Sequence, residues 1–545
     1  MAAETLDLVG KDLLEQLMFS LYPDAETIYR EYLQNACDSI NGAAKLGIIE
    51  KKDGHVSINI DKFHHTITIE DNGTGIKADE AEMTLKYIAH SKKKNESAAG
   101  FYGIGRLVGG GYCKQLSFIT SAQGENVASE MVFDMNKIRE ILEDDEDNSS
   151  ASEVIHKVTT FRNNIPEEPQ KHYFKVVLKD ILPDYHNVLL DEDKINAYLK
   201  QVAPIPYEAT FFNNLIKPNI TKDDSKYLNY YNRLNAVKVS INDIVGLEKP
   251  YEIKFKGTEH EYTDDDRSDN APINEIRFFS ITDSQLGDLG WGWYAYTPAG
   301  TQIKAVDPYT GEKVLTRSIR LRCHNIQVGD ENVLNKYFKQ ARSHTYFNGE
   351  VFIINQDIRP TADRSDIAPT SVAKKFQAKL EEFFRNDLEK LYQKANKANK
   401  QLENIRKADE EIRKIEESNE IPAESKATEL AKQQEIKKKS QDALDKFIKK
   451  SNNQTKSMQT LAEGFKKQFE QYQNNPTSNV PSTPRTPVNP SKSMDEKISE
   501  LSGKYNNEEV SMVKKIFNII DTRYLKKYEQ IVKNIKESVL NDLKK

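Results

Sequence analysis

The chain has 545 residues, of which 37% are hydrophobic and 30% charged, with a net charge of −6 and three cysteines. That length exceeds one ordinary core, so two or three domains are expected. No run of 18 apolar residues occurs, the opening stretch MAAETLDLVGKDLLEQLMF lacks the blocks of a secretory signal, and Cys37, Cys113 and Cys323 share no metal-like spacing. No membrane span is expected, and a reducing cytoplasm is. Charge is spread unevenly: from Ser371 onward 36 Lys and Arg face 27 Asp and Glu, against 42 facing 57 before it. The acidic front part argues against a nucleic-acid surface there, while the basic remainder leaves one open.

In chain order, KDLLEQLMFSLY and AETIYREYLQNACDSINGAAK read as helices separated by Pro23-Asp24. HVSINIDKFHHTITIEDNGTGI alternates with period two, predicting a strand pair that ends in a glycine-rich turn. A short helix, a polar loop and a glycine cluster follow in DEAEMTLKYIAHSKKKNESAAGFYGIGRLVGGGYC, then strands at KQLSFITS and HYFKVVLKDI. The acidic stretch Leu142–Glu153 reads as an exposed insertion or loop. From about 190 to 370 strand-like pieces (AVKVSIN, YEIKF, EIRFFSI, WGWYAYT, EVFIINQDIRP) alternate with a helix near ENVLNKYFKQARSH, predicting a second α/β domain. A long, Lys-, Glu- and Ala-rich helix with coiled-coil character follows, then a proline-rich linker and a helical tail. The expected division is therefore 1–185, 186–370, 371–473, 474–493 and 494–545.

Three stretches bear chemistry. On a helix, Glu31, Asn35 and Asp38 share one face, a pattern that a solvated amphipathic helix shows as readily as an active site. In IEDNGTGI, Asp71 ends a strand where its carboxylate can accept a hydrogen bond from an exocyclic amine, and Gly73 and Gly75 permit close approach and positive φ. DNG is equally a favourable hairpin turn. GFYGIGRLVGGG offers bare amides for phosphates, yet it lacks the G-K-S/T of a Walker loop and no strand leads straight into it.

Together and in this order, these stretches resemble the GHKL ATPases, the superfamily of heat-shock chaperones, gyrase B, mismatch-repair MutL and histidine kinases. The ninety-kilodalton heat-shock chaperone family fits best: its R-E-L-x-x-N-A-x-D-A-like helix is matched by YREYLQNACDSI, its I-A-x-S lid segment by YIAHS, and its phosphate loop by GFYGIGRLV. The resemblance covers residues 1–185 and reaches into the second domain at EVFIINQDIRPTADRSDIAP, where the matching loop arginine is Arg364. It implies an N-terminal ATP-binding α/β sandwich, an α/β middle domain and a helical remainder. It implies MgATP, with Asp71, Gly73 and Gly75 at adenine, Asn35 on Mg²⁺, and Ser91, Gly100, Gly103, Ile104 and Gly105 around the nucleotide. Glu31 would be the general base and Arg364 would reach the γ-phosphate, with Asp38 in a supporting role.

The sequence departs from that pattern in three places. His90 stands for the lid lysine, Thr84 for a lid asparagine, and KHYFKVVLKD lacks the Gly-Thr that opens the closing strand. No chaperone dimerisation domain is legible at the end of the chain. The expected function is an ATP-driven clamp acting on a protein client or partner, dimeric through its C-terminal helices. A DNA-associated clamp of the microrchidia type, in a specialised system such as antiviral defence, is the alternative. A histidine kinase is excluded, because no histidine precedes His55 to serve as phosphoacceptor.

Overall fold

The computed structural model describes residues 10–16, 18, 24–86, 105–209, 212–218, 220, 225–234, 236–242, 244–249, 276–296, 303, 305–306, 313–418 and 422–474. Ser91, Gly100, Gly103 and Ile104, the proline-rich stretch from 475 and the C-terminal module lie outside the described residues. The chain divides into two compact units. Met1–Tyr251, Asn274–Tyr296 and Ser318–Lys390 form the first, and Glu252–Ile273, Thr297–Arg317 and Leu391–Lys545 the second.

The first unit opens with α1 (Asp12–Glu15), α2 (Thr27–Lys45), β1 (His55–Asp61), β2 (Thr66–Asp71) and α3 (Ala78–Lys86). It continues with β3 (Cys113–Ser121), β4 (Val127–Asp134), α4 (Met135–Glu143), α5 (Ala151–Val158), β5 (Thr159–Pro166) and β6 (Tyr173–Ile181). Then come α6 (His186–Leu189), α7 (Glu192–Val202) and β7 (Lys238–Ile241). The seven strands form one sheet in the order β5-β4-β3-β6-β2-β1-β7. All neighbours are antiparallel except β1 and β7. Alternation does its expected work: Val56, Ile58 and Ile60 of β1 and Ile67 and Ile69 of β2 are buried, and Asp71 ends that same buried series. Helix α2 packs on β1 and β2 and ends in a Schellman motif, with Ile48 N–H donating to Ala43 O (2.9 Å), Gly47 N–H to Ala44 O (3.2 Å), and Gly47 at φ +73°.

This core does not close at residue 185. Tyr29 of α2 donates its hydroxyl to Leu189 O at 2.6 Å, and Ile195, Leu199 and Val202 of α7 are buried in the same core. The strand expected at AVKVSIN is β7, an edge strand of this first sheet, tied in by Asn242 N–H to Ile58 O and Ile60 N–H to Asn242 Oδ1, both 2.8 Å. The acidic stretch Leu142–Glu153 includes an exposed loop, as expected. It joins α4 to α5, where Ser150 and Glu153 form a capping box and acidic groups suit a helix N-terminus.

The second sheet, in the same unit, comprises β8 (Arg277–Asp283), β9 (Gly287–Tyr296), β10 (Ser318–Cys323), β11 (Ile326–Val328) and β12 (Phe347–Ile353), ordered β11-β10-β12-β9-β8. The helix expected near ENVLNKYFKQARSH is instead two 3₁₀ turns, Asn335–Tyr337 and Ala341–Tyr346. The adjacent Tyr337 and Phe338 are both buried at the end of the first of these turns. Helix Ser371–Phe383 buries Phe376 and Leu380 and packs on β8, so the boundary expected at 370 falls inside this domain.

Beside β12 lies a charged core. Glu350 accepts from Lys249 Nζ (3.3 Å), from Arg322 Nε and from Tyr207 Oη (2.9 Å), and Trp293 Nε1 donates to Tyr207 Oη at 3.3 Å. Burial, with Arg322 beside it, brings the Lys249 ammonium down to about 7 against the pull of Glu350. Arg322 also donates to Gln201 O at 2.7 Å, so the cluster joins the second sheet to the end of α7.

The second unit holds a three-helix bundle of Glu389–Glu417 (from Leu391), Ala423–Ser451 and Lys456–Asn474. Leu391, Ala395, Ala398, Leu402 and Ile405 recur at spacings of four and three and are buried. Lys437 and Tyr472 both reach Asp409, at 2.6 and 3.0 Å, and Lys394 reaches Gln454 at 2.6 Å, which fixes an up-down-up arrangement. The expected coiled-coil stripe is thus covered by helices of its own chain.

Glu350→Gln strips the carboxylate from two buried cations, a change that costs about 3–5 kcal/mol when a buried pair is broken. Both tryptophans, Trp291 and Trp293, sit in β9 next to this cluster. Denaturant unfolding followed by tryptophan fluorescence should therefore show a markedly lowered midpoint, and an unchanged midpoint contradicts the assignment.

Candidate active site

Helix α2 is buried from Thr27 through Gln34, unusual for a segment that contains Arg30, Glu31 and Gln34. Each polar group there therefore needs a protein or ligand partner. Glu31 Oε1 accepts from Arg30 Nη2 (3.2 Å) and Nε (3.3 Å), and Arg30 Nη2 also donates to Asp363 O at 3.1 Å. Tyr198 of α7 stands beside this pair. Burial pushes its phenol up to about 12, with the Arg30 charge and a Thr27 hydrogen bond acting in the opposite direction.

Above Glu31 runs the glycine-rich segment. A Cβ at Gly105 would stand 2.8 Å from Glu31 Oε2, so the backbone passes directly over the carboxylate. Tyr32 fastens this segment: its hydroxyl donates to Arg106 O (3.1 Å) and accepts from Gly109 N–H (3.0 Å). Arg139 of α4 donates to the carbonyls of Gly110, Gly111 and Cys113 at 3.0, 3.3 and 2.9 Å. Arg106 Nη1 donates to Thr84 O, linking the segment to α3 through a backbone atom, so the threonine side chain is not what makes that link.

Two turns along the helix, the DNG turn lies against α2. Asp71, 4% exposed, accepts from Gly73 N–H at 2.8 Å, and Ser39 Oγ accepts from Thr74 N–H at 3.1 Å. His172 Nδ1 donates to Gly73 O at 2.7 Å. A Cβ at Gly73 would fall 2.0 Å from Ser39 Oγ, and one at Gly75 (φ +61°) 1.9 Å from Ser121 O. These glycines are thus required by the packing of the turn itself, before any ligand is considered.

Asn35 is half-buried on α2, between the glycine-rich segment over Glu31 and the turn at Ser39. The eight residue-to-residue steps from Glu31 to Ser39 span about 12 Å of helix. Among the described residues no group of three His, Cys, Asp or Glu is placed to cage a metal. The oxygen of Asn35, with water and phosphate, is the ligation that Mg²⁺ accepts, so the residues present fit that ion.

Arg364 lies in the loop 359–368, closed by Thr361 N–H to Asp366 O (2.8 Å) and Arg364 N–H to Thr361 O (3.0 Å). It is 3% exposed and left-handed at φ +58°, a conformation that a non-glycine residue holds only where surrounding structure imposes it. Its neighbour Asp363 is the residue whose carbonyl meets Arg30. The structure therefore brings Glu31, Asn35, Gly105, Asp71, Gly73 and Gly75 to one helix, and the Arg364 loop to its Glu31 end. Arg30, Tyr32, Ser39, Arg139 and His172 were not among the expected site residues. Only Arg30 had a sequence signal, as the arginine adjoining the glutamate.

Residues 25–164 match the family described as histidine kinase-, DNA gyrase B-, and HSP90-like ATPase. Among curated proteins, the chaperone protein HtpG of Clostridium perfringens strain 13 is 28% identical over 188 residues, 31% of this chain and 30% of that protein. HtpG of Bordetella pertussis is 36% identical over 125 residues (19% and 20%), and HtpG of Clostridium acetobutylicum is 32% identical over 123 residues (21% and 20%). The chain thus spans between a fifth and a third of the length of these relatives. With that match laid over the helix, turn and glycine-rich segment just described, residues 25–164 form a domain of the histidine kinase-, DNA gyrase B-, and HSP90-like ATPase type, and the similarity of this part of the chain runs to HtpG chaperones.

Proposed function

We propose that the protein is an ATP-hydrolysing conformational clamp, and the observation that carries this reading is Arg30, shared between Glu31 and the backbone of Asp363. One guanidinium there registers the Arg364 loop of the second sheet against the carboxylate expected to activate water. A loop held so can report to the second sheet whether the nucleotide site is filled.

In this reading Asp71 accepts from the adenine amine, its carboxylate already oriented by Gly73 N–H. Asn35 supplies an oxygen to Mg²⁺, and that ion, when bound, neutralises phosphate charge. Gly105, with Ser91, Gly100, Gly103 and Ile104, contributes backbone and side-chain groups to phosphate, and Tyr32 braces the segment that follows at Arg106 and Gly109. Glu31 takes the proton of the attacking water, and Arg364 stabilises charge on the transferred phosphoryl group. The chaperone names of the relatives favour a protein client over duplex DNA as the partner. Dimerisation through the C-terminal helical region belongs to the same reading. Among the described residues no helix is long and apolar enough to cross a membrane. Cys37, Cys113 and Cys323 are free and buried, which suits the cytoplasm.

Glu31→Ala should retain ATP binding and lose about 10²–10⁴-fold in turnover, while Asp71→Asn should lose binding. Isothermal titration with a phosphate-release assay checks both, and unchanged hydrolysis by the Glu31 variant sinks the assignment. Mass measurement with and without a non-hydrolysable ATP analogue should show nucleotide-dependent closure or dimerisation in the wild type. Arg364→Ala should abolish that response.

A further inference from the structure

The start of β6 sets an aromatic ring beside the carboxylate that the nucleotide reading gives to the base. In the antiparallel register Asp71 of β2 faces Phe174 of β6, and Phe174 in turn faces Thr120 of β3. Directly opposed residues of an antiparallel pair carry their side chains on one face, with Cβ atoms about 4.5–5.5 Å apart. One row across the sheet therefore reads Asp71, Phe174, Thr120. It lies on the inward face that Val176 and Leu178 of β6 also line. Asp71, Thr120, Val176 and Leu178 are buried, whereas Phe174 is half-buried. Interiors pack without gaps, so an inward-facing ring with uncovered surface marks an opening in the packing next to Asp71.

The ring is held from behind and from below. Buried Phe118 stacks on it, with centroids 5.8 Å apart and an interplanar angle of 28°. His172, two residues earlier, ties the strand to the DNG turn through Gly73 O at 2.7 Å. Thr120 has no proton to spare, because its hydroxyl donates to Tyr173 O at 2.9 Å while accepting from Ile76 N–H at 2.8 Å. The row thus presents a carboxylate acceptor and an apolar ring, with no spare side-chain donor.

We propose that Phe174 is a base-binding residue, its ring forming the apolar surface against which the base of the nucleotide lies while Asp71 accepts from the base amine. The inference deepens the nucleotide reading and rests on it. Phe174 stands in KHYFKVVLKD, the segment where the Gly-Thr of the resembled family is missing. The chemistry selected is a flat ring that carries an amine. A 6-oxo purine turns an acceptor toward Asp71, two acceptors repel, and Thr120 cannot donate in exchange. The ring contact is indifferent to that substituent. Asp71 therefore selects the amine, and Phe174 binds the ring.

The test titrates the full chain, with Mg²⁺ present, against ATP, ITP and tripolyphosphate, which lacks a base. Phe174→Leu keeps an apolar side chain without an aromatic face. It should weaken ATP binding about 10- to 100-fold, the range of one base–aromatic contact, and leave tripolyphosphate within about twofold. Phe174→Tyr retains the ring and should bind ATP within about threefold of the wild type. The preference for ATP over ITP should be the same in the wild type and in Phe174→Leu, since the amine contact is untouched. Phe174→Trp places an indole at the same point, and ATP should quench its fluorescence where tripolyphosphate does not. The wild-type signal of Trp291 and Trp293 in β9 supplies the baseline.

Unchanged ATP affinity in Phe174→Leu, or an unquenched indole, overturns the proposal and leaves the nucleotide reading intact. Tripolyphosphate binding lost in step with ATP also overturns it, because the ring then supports only the fold. A wild type that binds no ATP removes both readings, so the two failures are told apart by the wild type alone.

Discussion

Burial of the first half of α2 is the constraint on which the remaining architecture depends. A helix of 19 residues that buries Arg30, Glu31 and Gln34 along with its apolar face must find polar partners on several sides at once. Those partners come from elements distant in sequence: the glycine-rich segment at Tyr32, the DNG turn at Ser39, the Leu189 carbonyl of α6 at Tyr29, and the Asp363 carbonyl at Arg30. Each is aligned to the same helix, so together they are aligned to one another. The precision of this arrangement comes from a packed helix to which each of these segments is fastened.

The same economy governs the sheet. Asp71 occupies the position that a further isoleucine would take in the Ile67, Ile69 series, so its carboxylate is directed inward by strand geometry alone. The glycines after it answer to backbone oxygens and to Ser39 before they answer to any ligand. Tyr32 shows the converse case, a side chain whose hydroxyl acts as both donor and acceptor to brace a segment of backbone. Motif residues and bracing residues are thus of two kinds, and only the first kind recurs at recognisable spacing.

The second sheet adds a different physical device. Its polar core of Glu350, Arg322, Lys249, Tyr207 and Asn325 is buried, where half-satisfied charges are costly and a satisfied network is rigid. That rigidity extends outward along the β10–β11 hairpin through Asn325, and the hydrogen bond from Gly329 N–H to Arg364 O joins it to the Arg364 loop. The two sheets therefore meet at α2 through backbone and side-chain contacts that small displacements would break.

Much of the fold was legible because its signals are local. Period-two alternation marks β1 and β2, KQLSFITS and HYFKVVLKDI read as the strands β3 and β6, and helical spacing places Glu31, Asn35 and Asp38 on α2. The order of helix, DNG turn and glycine cluster identifies the superfamily from the sequence alone. The misplaced features were those decided by distant partners. β7 reads as a strand but not as the neighbour of β1. The stretch around Tyr337 and Phe338 reads as a helix but forms two separate 3₁₀ turns. Residue type and spacing along the chain thus determined which groups could do chemistry. Tertiary structure alone decided which groups meet, because a hydrogen bond between Arg30 and Asp363 joins residues 333 positions apart, and no periodicity spans that separation.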